Sequence, residues 1–237
     1  MSFNNISFIL HKPQLSENIG LCARAIKNFG FKNLSVIEPK PIFPNDKIIV
    51  TSVGAKDIIK KTKVYANLER SLINTDILIA TSARFRNKNI KHISLDELAQ
   101  INFTKKVSFL FGSEASGLTN EEISYADYTL QIPSNSKFRS LNLSHSLAIV
   151  AQVVSYLMSI NKVDFQKSKK IKIATKKEIA NMLKFCLSTL ENQNFFKQKA
   201  KKPIMIENLR SIFYKMELSQ KEIRILSSVF AGLAKKP

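Results

Sequence analysis

Glycine, cysteine and histidine are all scarce in this chain, which has six glycines, two cysteines and three histidines among 237 residues. Cys22 and Cys186 lie within helical patterns and lack metal-site spacing, so we expect both to be reduced thiols. The histidines (His11, His92 and His145) show no ligand spacing either, and we predict no metal. The sequence has no run of 18 apolar residues and no basic segment before its first apolar run. We therefore expect no membrane segment and no signal peptide, and a cytoplasmic location.

Acidic residues are also few, with 18 aspartates and glutamates against 37 lysines and arginines, for a formal net charge of +19. Residues 161–237 hold 18 of these basic residues and only 6 of the acidic ones, a net charge of +12. Such an excess attracts polyanions by releasing their counterions. A lysine-rich compositional bias would give the same total, but the clustering beyond residue 160 favours a nucleic acid as the partner.

Short apolar runs alternate with amphipathic segments over the first 160 residues. The runs predict strands at 6–10, 33–39, 76–83, 106–112 and 128–133. The amphipathic segments predict helices at 16–30, 54–62, 68–73, 94–101, 119–126 and 142–160. Ser16 is the predicted N-cap of the first helix. This alternation predicts an α/β fold with a largely parallel sheet and helices on both faces.

The composition changes after residue 160. Residues 161–177 contain seven lysines and neither Gly nor Pro, which predicts a solvated basic linker. Helical patterns return at 176–192 and 204–233, and the second breaks where Ser219 and Glu222 form a capping-box pattern. The predicted units are an α/β domain, a linker and a small helical, RNA-binding extension, at 1–160, 161–177 and 178–237.

Two of the scarce glycines, Gly112 and Gly117, flank the loop that follows the predicted strand 106–112. Ligands in open α/β sheets bind beyond the carboxyl ends of strands, where glycine lets a ligand approach the backbone. The G-x-x-x-x-G spacing lacks the Lys-Ser/Thr of a P-loop, and no G-x-G-x-x-G occurs, so ATP and NAD are poorly supported. A simple turn also explains two glycines. However, small polar loops also follow three other predicted strands, at "LSENIG", "ATSAR" and "IPSNSKFRS".

Three segments resemble, in order and in spacing, the signature motifs of the SPOUT superfamily of methyltransferases: "SENIGLCARAIKNFG" (16–30), "LFGSEASGL" (110–118) and "IPSNSKFRSLNLSHSLAIV" (132–150). That superfamily includes the SpoU/TrmH type of RNA ribose 2'-O-methyltransferase. The "ATSAR" loop and the tail "NLRSIFYKMELSQKEIRIL" resemble its TrmJ branch, the tRNA (cytidine/uridine-2'-O)-methyltransferases of the anticodon loop. The resemblance implies a C-terminal trefoil knot in the α/β fold. It also implies S-adenosylmethionine (SAM) as cofactor and a homodimer whose subunits complete the site together.

Carried over position by position, the resemblance implies a cofactor pocket formed by Thr81, Ser82, Ala83, Gly112, Glu114, Gly117, Ile132, Ser140, Leu141 and Asn142. It implies a catalytic set of Arg24, Asn18, Ser140 and Asn142. Arg24 is the motif-one arginine, assigned to activating the ribose hydroxyl. Because a guanidinium stays charged, we expect its cation to orient the RNA phosphate and lower the hydroxyl's pKa. Packing remains an alternative role for Ile132 and Leu141, and a solvent-facing charge remains one for Arg24.

Positive charge beside the cofactor loops comes from Arg84, Arg86 and Arg139, and in the linker from Lys169 and Lys170, and we expect these residues to contact RNA. The apolar stripe from Leu143 to Leu157 suits either a core helix or a dimer seam. Three functions stay open: 2'-O-methylation of tRNA, the same reaction on ribosomal RNA, and RNA binding without turnover.

Overall fold

A parallel sheet organises the fold in the computed structural model, which describes residues 3–83, 90–135, 137–160 and 172–234. The sheet has seven strands in the order β3-β2-β1-β6-β4-β7-β5. The strands are β1 Ile6–His11, β2 Asn33–Ile37, β3 Lys63–Tyr65, β4 Ile77–Thr81, β5 Lys91–Ile93, β6 Val107–Phe111 and β7 Tyr128–Leu130. Every pairing in it is parallel. The predicted α/β class is confirmed.

Helices connect and cover these strands. They are α1 Ser16–Asn28, α2 Asp46–Thr51, α3 Lys56–Lys61, α4 Leu68–Ser71, α5 Asn120–Ile123, α6 Leu143–Ile160, α7 Lys176–Asn192, α8 Lys202–Lys215 and α9 Gln220–Ala234, with 3-10 turns at Glu97–Gln100 and Lys199–Lys201. The predicted capping box precedes α9: the Ser219 N–H donates to Glu222 Oε2 at 2.5 Å, and the Glu222 N–H donates to Ser219 Oγ at 3.2 Å. Among the helices of the described ranges, none has the length and hydrophobicity needed to span a bilayer.

The prediction of Ser16 as N-cap of α1 is wrong. The cap position is Leu15, which provides no side-chain hydrogen bond. Ser16 lies one residue inside the helix, where its Oγ accepts a hydrogen bond from Asn45 Nδ2 at 2.9 Å. The hydroxyl therefore fixes the loop before α2 instead of closing the first turn of its own helix. Asn45 itself caps α2, because its Oδ1 accepts from the Ile48 N–H at 3.1 Å.

The first face of the sheet carries the larger apolar core. Phe8 of β1 stacks on Phe109 of β6 with ring centroids 5.8 Å apart, and α1, α2, α3 and α6 pack over them. On α6, the predicted apolar stripe faces this core: Leu143, Leu147, Val150 and Val154 are buried and Leu157 is partly buried. In this chain the stripe therefore belongs to the core rather than to an exposed seam.

The second face is covered by α4 and α5 and by the three C-terminal helices. Ile9, Leu78 and Leu110 point to this side and share a core with Ile179 and Tyr214. The C-terminal helices are thus packed on the sheet, and both faces carry helices as predicted.

The end of the predicted linker is not solvated throughout. Residues 172–177 are described, and within them Ala174 is buried and Lys176 is only 2% exposed. Lys176 Nζ contacts the two carboxylate oxygens of Asp127 at 2.5 and 2.6 Å and donates to the Tyr214 carbonyl at 3.0 Å. Asp127 also accepts from the Leu78 N–H at 2.7 Å. One buried ion pair therefore joins the first turn of α7 to the sheet.

Candidate cofactor and RNA site

The carboxyl ends of β1, β6, β4 and β7 lie side by side, since Leu10 pairs with Phe111, Ala80 with Leu110, and Thr81 with Leu130. The loops that leave β4, β6 and β7 enclose a cavity of about 610 Å³ at this edge. Its lining includes nine of the ten residues expected to hold the cofactor: Thr81, Ser82, Ala83, Gly112, Glu114, Gly117, Ile132, Ser140 and Leu141. Three stretches that are separate in sequence, at 81–83, 112–117 and 132–141, thus meet around one space.

The two glycines of the β6 loop shape this cavity. A side chain at Gly112 would place its Cβ 2.3 Å from the carbonyl carbon of Gly117 and 2.4 Å from the Leu118 N. The loop returns directly over Gly112, and its closure is marked by the Gly117 N–H donating to the Ser113 carbonyl at 2.9 Å. Gly117 has a φ of +67°, in the region that favours glycine. Both glycines are therefore required by the shape of the loop.

A chain of polar side chains connects the three motifs behind the cavity. Asn18 Nδ2 donates to Glu114 Oε1 at 2.8 Å, and Asn142 Nδ2 donates to Asn18 Oδ1 at 3.0 Å. Asn142 Oδ1 in turn accepts from the Ser144 N–H at 2.8 Å at the start of α6. Of the ten residues predicted to hold the cofactor, only Asn142 is absent from the cavity lining that the described residues form. Its side chain links α1 to α6.

Glu114 and Glu122 hold the segment between β1 and α1. Glu114 accepts from the backbone N–H groups of Gln14 at 2.8 Å and Leu15 at 3.3 Å. Glu122 lies 3.2 Å from Nδ1 of the buried His11 and caps α5 by accepting from the Thr119 N–H at 2.8 Å. Because Glu114 lies within the glycine loop and Glu122 follows it, the cavity wall and the segment before α1 are fixed to each other.

Burial and charge act in opposite directions on His11. Burial lowers the pKa of the His11 imidazole below its ordinary value, and the neighbouring Glu122 carboxylate opposes that shift. Lys12 and Glu38 lie in the same cluster, 3.3 Å apart. Burial also raises the pKa of the thiol of Cys22, a residue of α1 that is buried in the core. Within the described ranges, no group of three or more His, Cys, Asp or Glu side chains is placed to hold a metal ion.

The basic residues predicted for catalysis and RNA binding differ in their position relative to the cavity. Arg24 is exposed on α1 and lies outside the cavity lining formed by the described residues of its own chain. Arg139, which we expect to contact RNA, lines the cavity. Arg84, Arg86, Lys169 and Lys170 lie outside the described residues. The structure thus brings Asn18, Asn142 and the cofactor loops together and leaves Arg24 on the surface.

Several lining residues were missed by sequence reasoning. Lys137 and Ser146 line the cavity, as do Leu118, which follows the glycine loop, and Leu130, the last residue of β7. The position of Ser146 follows from helix geometry, because it lies one turn after Asn142, so spacing would have found it. Lys137 lies between Ser136 and Phe138 in an irregular loop and carried no periodic signal.

Fold and site together define an α/β protein with a cavity of small-molecule size at the carboxyl edge of a parallel sheet. A sequence model of the SpoU rRNA methylase family matches residues 5–152, more than half of the chain. The chain belongs to that family, and it is therefore an RNA methyltransferase by family.

Relatives extend the match beyond the family region. The tRNA (cytidine-2'-O-)-methyltransferase TrmJ of Sulfolobus acidocaldarius is 31% identical over 239 residues, covering 98% of this chain and 96% of that protein. The crystal structure of TrmJ from Z. mobilis ZM4 has a TM-score of 0.87 at 27% identity, covering 97% of this chain and 99% of that one. The SpoU methyltransferase AviRb from Streptomyces viridochromogenes, in complex with AdoMet, shares the fold at 20% identity. Its TM-score is 0.51, with coverage of 65% of this chain and 58% of that one.

Proposed function

We propose that this protein transfers a methyl group from SAM to the 2'-hydroxyl of a cytidine or uridine in the anticodon loop of tRNA, in the cytoplasm. The observation that carries the proposal is the cavity at the sheet edge, where nine residues expected to hold SAM meet. Similarity to TrmJ proteins over nearly the whole chain, C-terminal helices included, favours tRNA over other RNAs.

The cavity suits SAM in size and in lining. Its volume of about 610 Å³ lies within the range of small-molecule sites. Ile132 and Leu141 offer apolar surface for an adenine face, and the strand-end backbone near Thr81 and Gly112 offers N–H and C=O groups for its edge. When bound, SAM supplies a sulfonium-activated methyl group. The residues of the chain must supply alignment of the acceptor and compensation of charge.

The network behind the cavity keeps the site preorganised. Asn18, Glu114 and Asn142 hold α1, the glycine loop and α6 in one arrangement through hydrogen bonds of 2.8 and 3.0 Å. Ser140 lines the cavity and would orient the ribose hydroxyl. Negative charge develops on that oxygen as its proton leaves, and a fixed cation stabilises it. Arg24 is assigned this role, with Arg139 binding the adjacent phosphate.

A homodimer is part of the proposal. Arg24 is exposed on α1, away from the cavity of its own chain, so the site is completed when a second protomer brings its α1 to that cavity. Leu21, Ile42, Val50 and Val53 are exposed apolar side chains on the α1 and α2 side that a partner would cover, with exposures from 38% to 84%. Sedimentation tests this point, and a monomer at micromolar concentration contradicts the shared site.

The function is tested by mass spectrometry of nucleosides. Unmodified total tRNA and unmodified ribosomal RNA are each incubated with the protein and SAM, then digested. New 2'-O-methylcytidine or 2'-O-methyluridine in the tRNA pool supports the proposal. Ribose methylation confined to ribosomal RNA would identify ribosomal RNA, and not tRNA, as the substrate. SAM binding without ribose methylation in either pool supports an RNA-binding protein without turnover.

A further inference from the structure

One exposed aromatic residue, Phe138, lies in sequence between two residues that line the cavity. Phe138 is 76% exposed, although burying a phenylalanine is strongly favourable. It lies in the loop between β7 and α6 that carries Arg139, Ser140 and Leu141 into the cavity wall. Nothing in the core of the described residues accounts for an aromatic residue at this position.

The loop presents Phe138 in a defined way. The Phe138 N–H donates to the Asn135 carbonyl at 2.9 Å, and the two residues form an isolated antiparallel bridge. The Lys137 N–H donates to Asn135 Oδ1 at 2.9 Å, and Ser134 Oγ donates to the Arg139 carbonyl at 3.3 Å. These bonds close a tight turn, so the backbone beneath the exposed ring is fixed.

The surrounding charge indicates the kind of ligand. Phe138 lies between Lys137 and Arg139, and both cations line the cavity. The sequence from 128 to 163 contains no aspartate or glutamate at all. An exposed ring between two cations matches a nucleotide strand, in which a base stacks on the aromatic face and phosphates contact the cations.

We propose that Phe138 is a stacking platform for an RNA base next to the nucleotide that is methylated, with Lys137 and Arg139 binding the flanking phosphates. The inference rests on the proposed function, because it requires RNA at this cavity. Anticodon-loop bases are not paired in a helix and are open to stacking on protein side chains. Phe138 is thus a positioning residue for the acceptor strand.

Steady-state methylation of a tRNA transcript by Phe138→Ala tests the proposal. Loss of one stacked base should raise the KM for tRNA about tenfold or more, with kcat and SAM affinity close to those of the wild type. Phe138→Tyr should restore the KM, since it keeps the aromatic face. An unchanged KM in Phe138→Ala, with active wild-type enzyme, overturns the stacking role and leaves the proposed function intact.

A fluorescence experiment separates the two proposals. The chain has no tryptophan, so Phe138→Trp introduces a single tryptophan, whose fluorescence is excited selectively over that of the tyrosines. Adding a single-stranded oligoribonucleotide should quench it, while Tyr156→Trp, at a 59% exposed position on α6, should be quenched far less. This readout needs no methyl transfer, so it tests stacking even if no substrate is methylated. Equal quenching at both positions overturns the proposal. So does a Phe138→Ala variant that sediments as a monomer beside a dimeric wild type, because the ring is then a subunit contact.

Discussion

Polar side chains have different structural roles at the sheet edge and in the C-terminal helices. At the edge, Asn18, Glu114 and Asn142 bond to one another and to backbone, and the result is a shaped cavity between loops. In the C-terminal part, Lys176 and Asp127 form one buried pair that attaches three helices with a basic surface to the sheet. Polar contacts therefore build a site in the first region and fix a surface in the second. Substitutions in the first should change chemistry, and substitutions in the second should change stability.

The largest effect is expected at Gly112. Gly112→Ala places a methyl group 2.3 Å from the Gly117 carbonyl carbon, so the loop must open and the cavity must change shape. We expect loss of both SAM binding and methyl transfer, measured by calorimetry and by transfer of labelled methyl groups. The matched control is Gly232→Ala on α9, where an added Cβ has no neighbour within 4 Å. It should keep full activity and gain up to about 1 kcal/mol of helix stability. An equal loss of SAM binding and methyl transfer in Gly112→Ala and Gly232→Ala would contradict the distinction between the two regions.

Arg24→Ala should separate chemistry from cofactor binding. Removing the cation that stabilises developing charge on oxygen should lower the methyl-transfer rate by about 10²–10³-fold. SAM affinity should stay at the wild-type value, because Arg24 is assigned to the acceptor ribose and its phosphate and not to the cofactor. Lys27→Ala, also exposed on α1, is the control and should retain activity. Normal turnover in Arg24→Ala would refute its assigned role.

Lys176→Met tests the second region. It leaves the Asp127 carboxylate buried without its cation, which should cost about 3–5 kcal/mol of unfolding free energy. Chemical denaturation measures the loss, and Lys177→Met, at the exposed neighbouring position, should remain near the wild type. Adding Asp127→Asn to Lys176→Met should restore part of the stability. A wild-type denaturation midpoint in Lys176→Met would show that the Lys176–Asp127 pair does not stabilise the packing of the C-terminal helices on the sheet.

The smallest effect concerns pH. Burial holds the pKa of His11 below its ordinary value of 6.5, so on acidification the unfolded chain takes up this proton before the folded one. Stability should therefore fall as pH drops below about 6.5 and level off once the folded imidazole is also protonated. Glu122 opposes the shift and Lys12 favours it, so the effect should be modest. Denaturation at pH 7.5 and 5.5 should show a weaker pH dependence in His11→Gln than in the wild type. An identical dependence contradicts this account.

The sequence predicted the long elements and the loops that meet at the sheet edge. It missed β3 and β5, because three residues, as in Lys63–Tyr65 and Lys91–Ile93, are too few to show a period and rely on a neighbouring strand. It also missed the short helix α2, and it placed a cap on Ser16 because serine is a frequent cap. That Asn18 bonds to Glu114, 96 residues away, depends on the fold and could not be read from spacing. The trefoil knot stays a prediction from resemblance.

The central claim is tested most directly by methylating one unmodified tRNA transcript with SAM that carries a deuterated methyl group, then locating the label by mass spectrometry of digested fragments. The account predicts a deuterated methyl group on the ribose of a cytidine or uridine in the anticodon loop, and far less label with Arg24→Ala over the same short incubation. A label on a base, or no label on tRNA when SAM is bound, would contradict it.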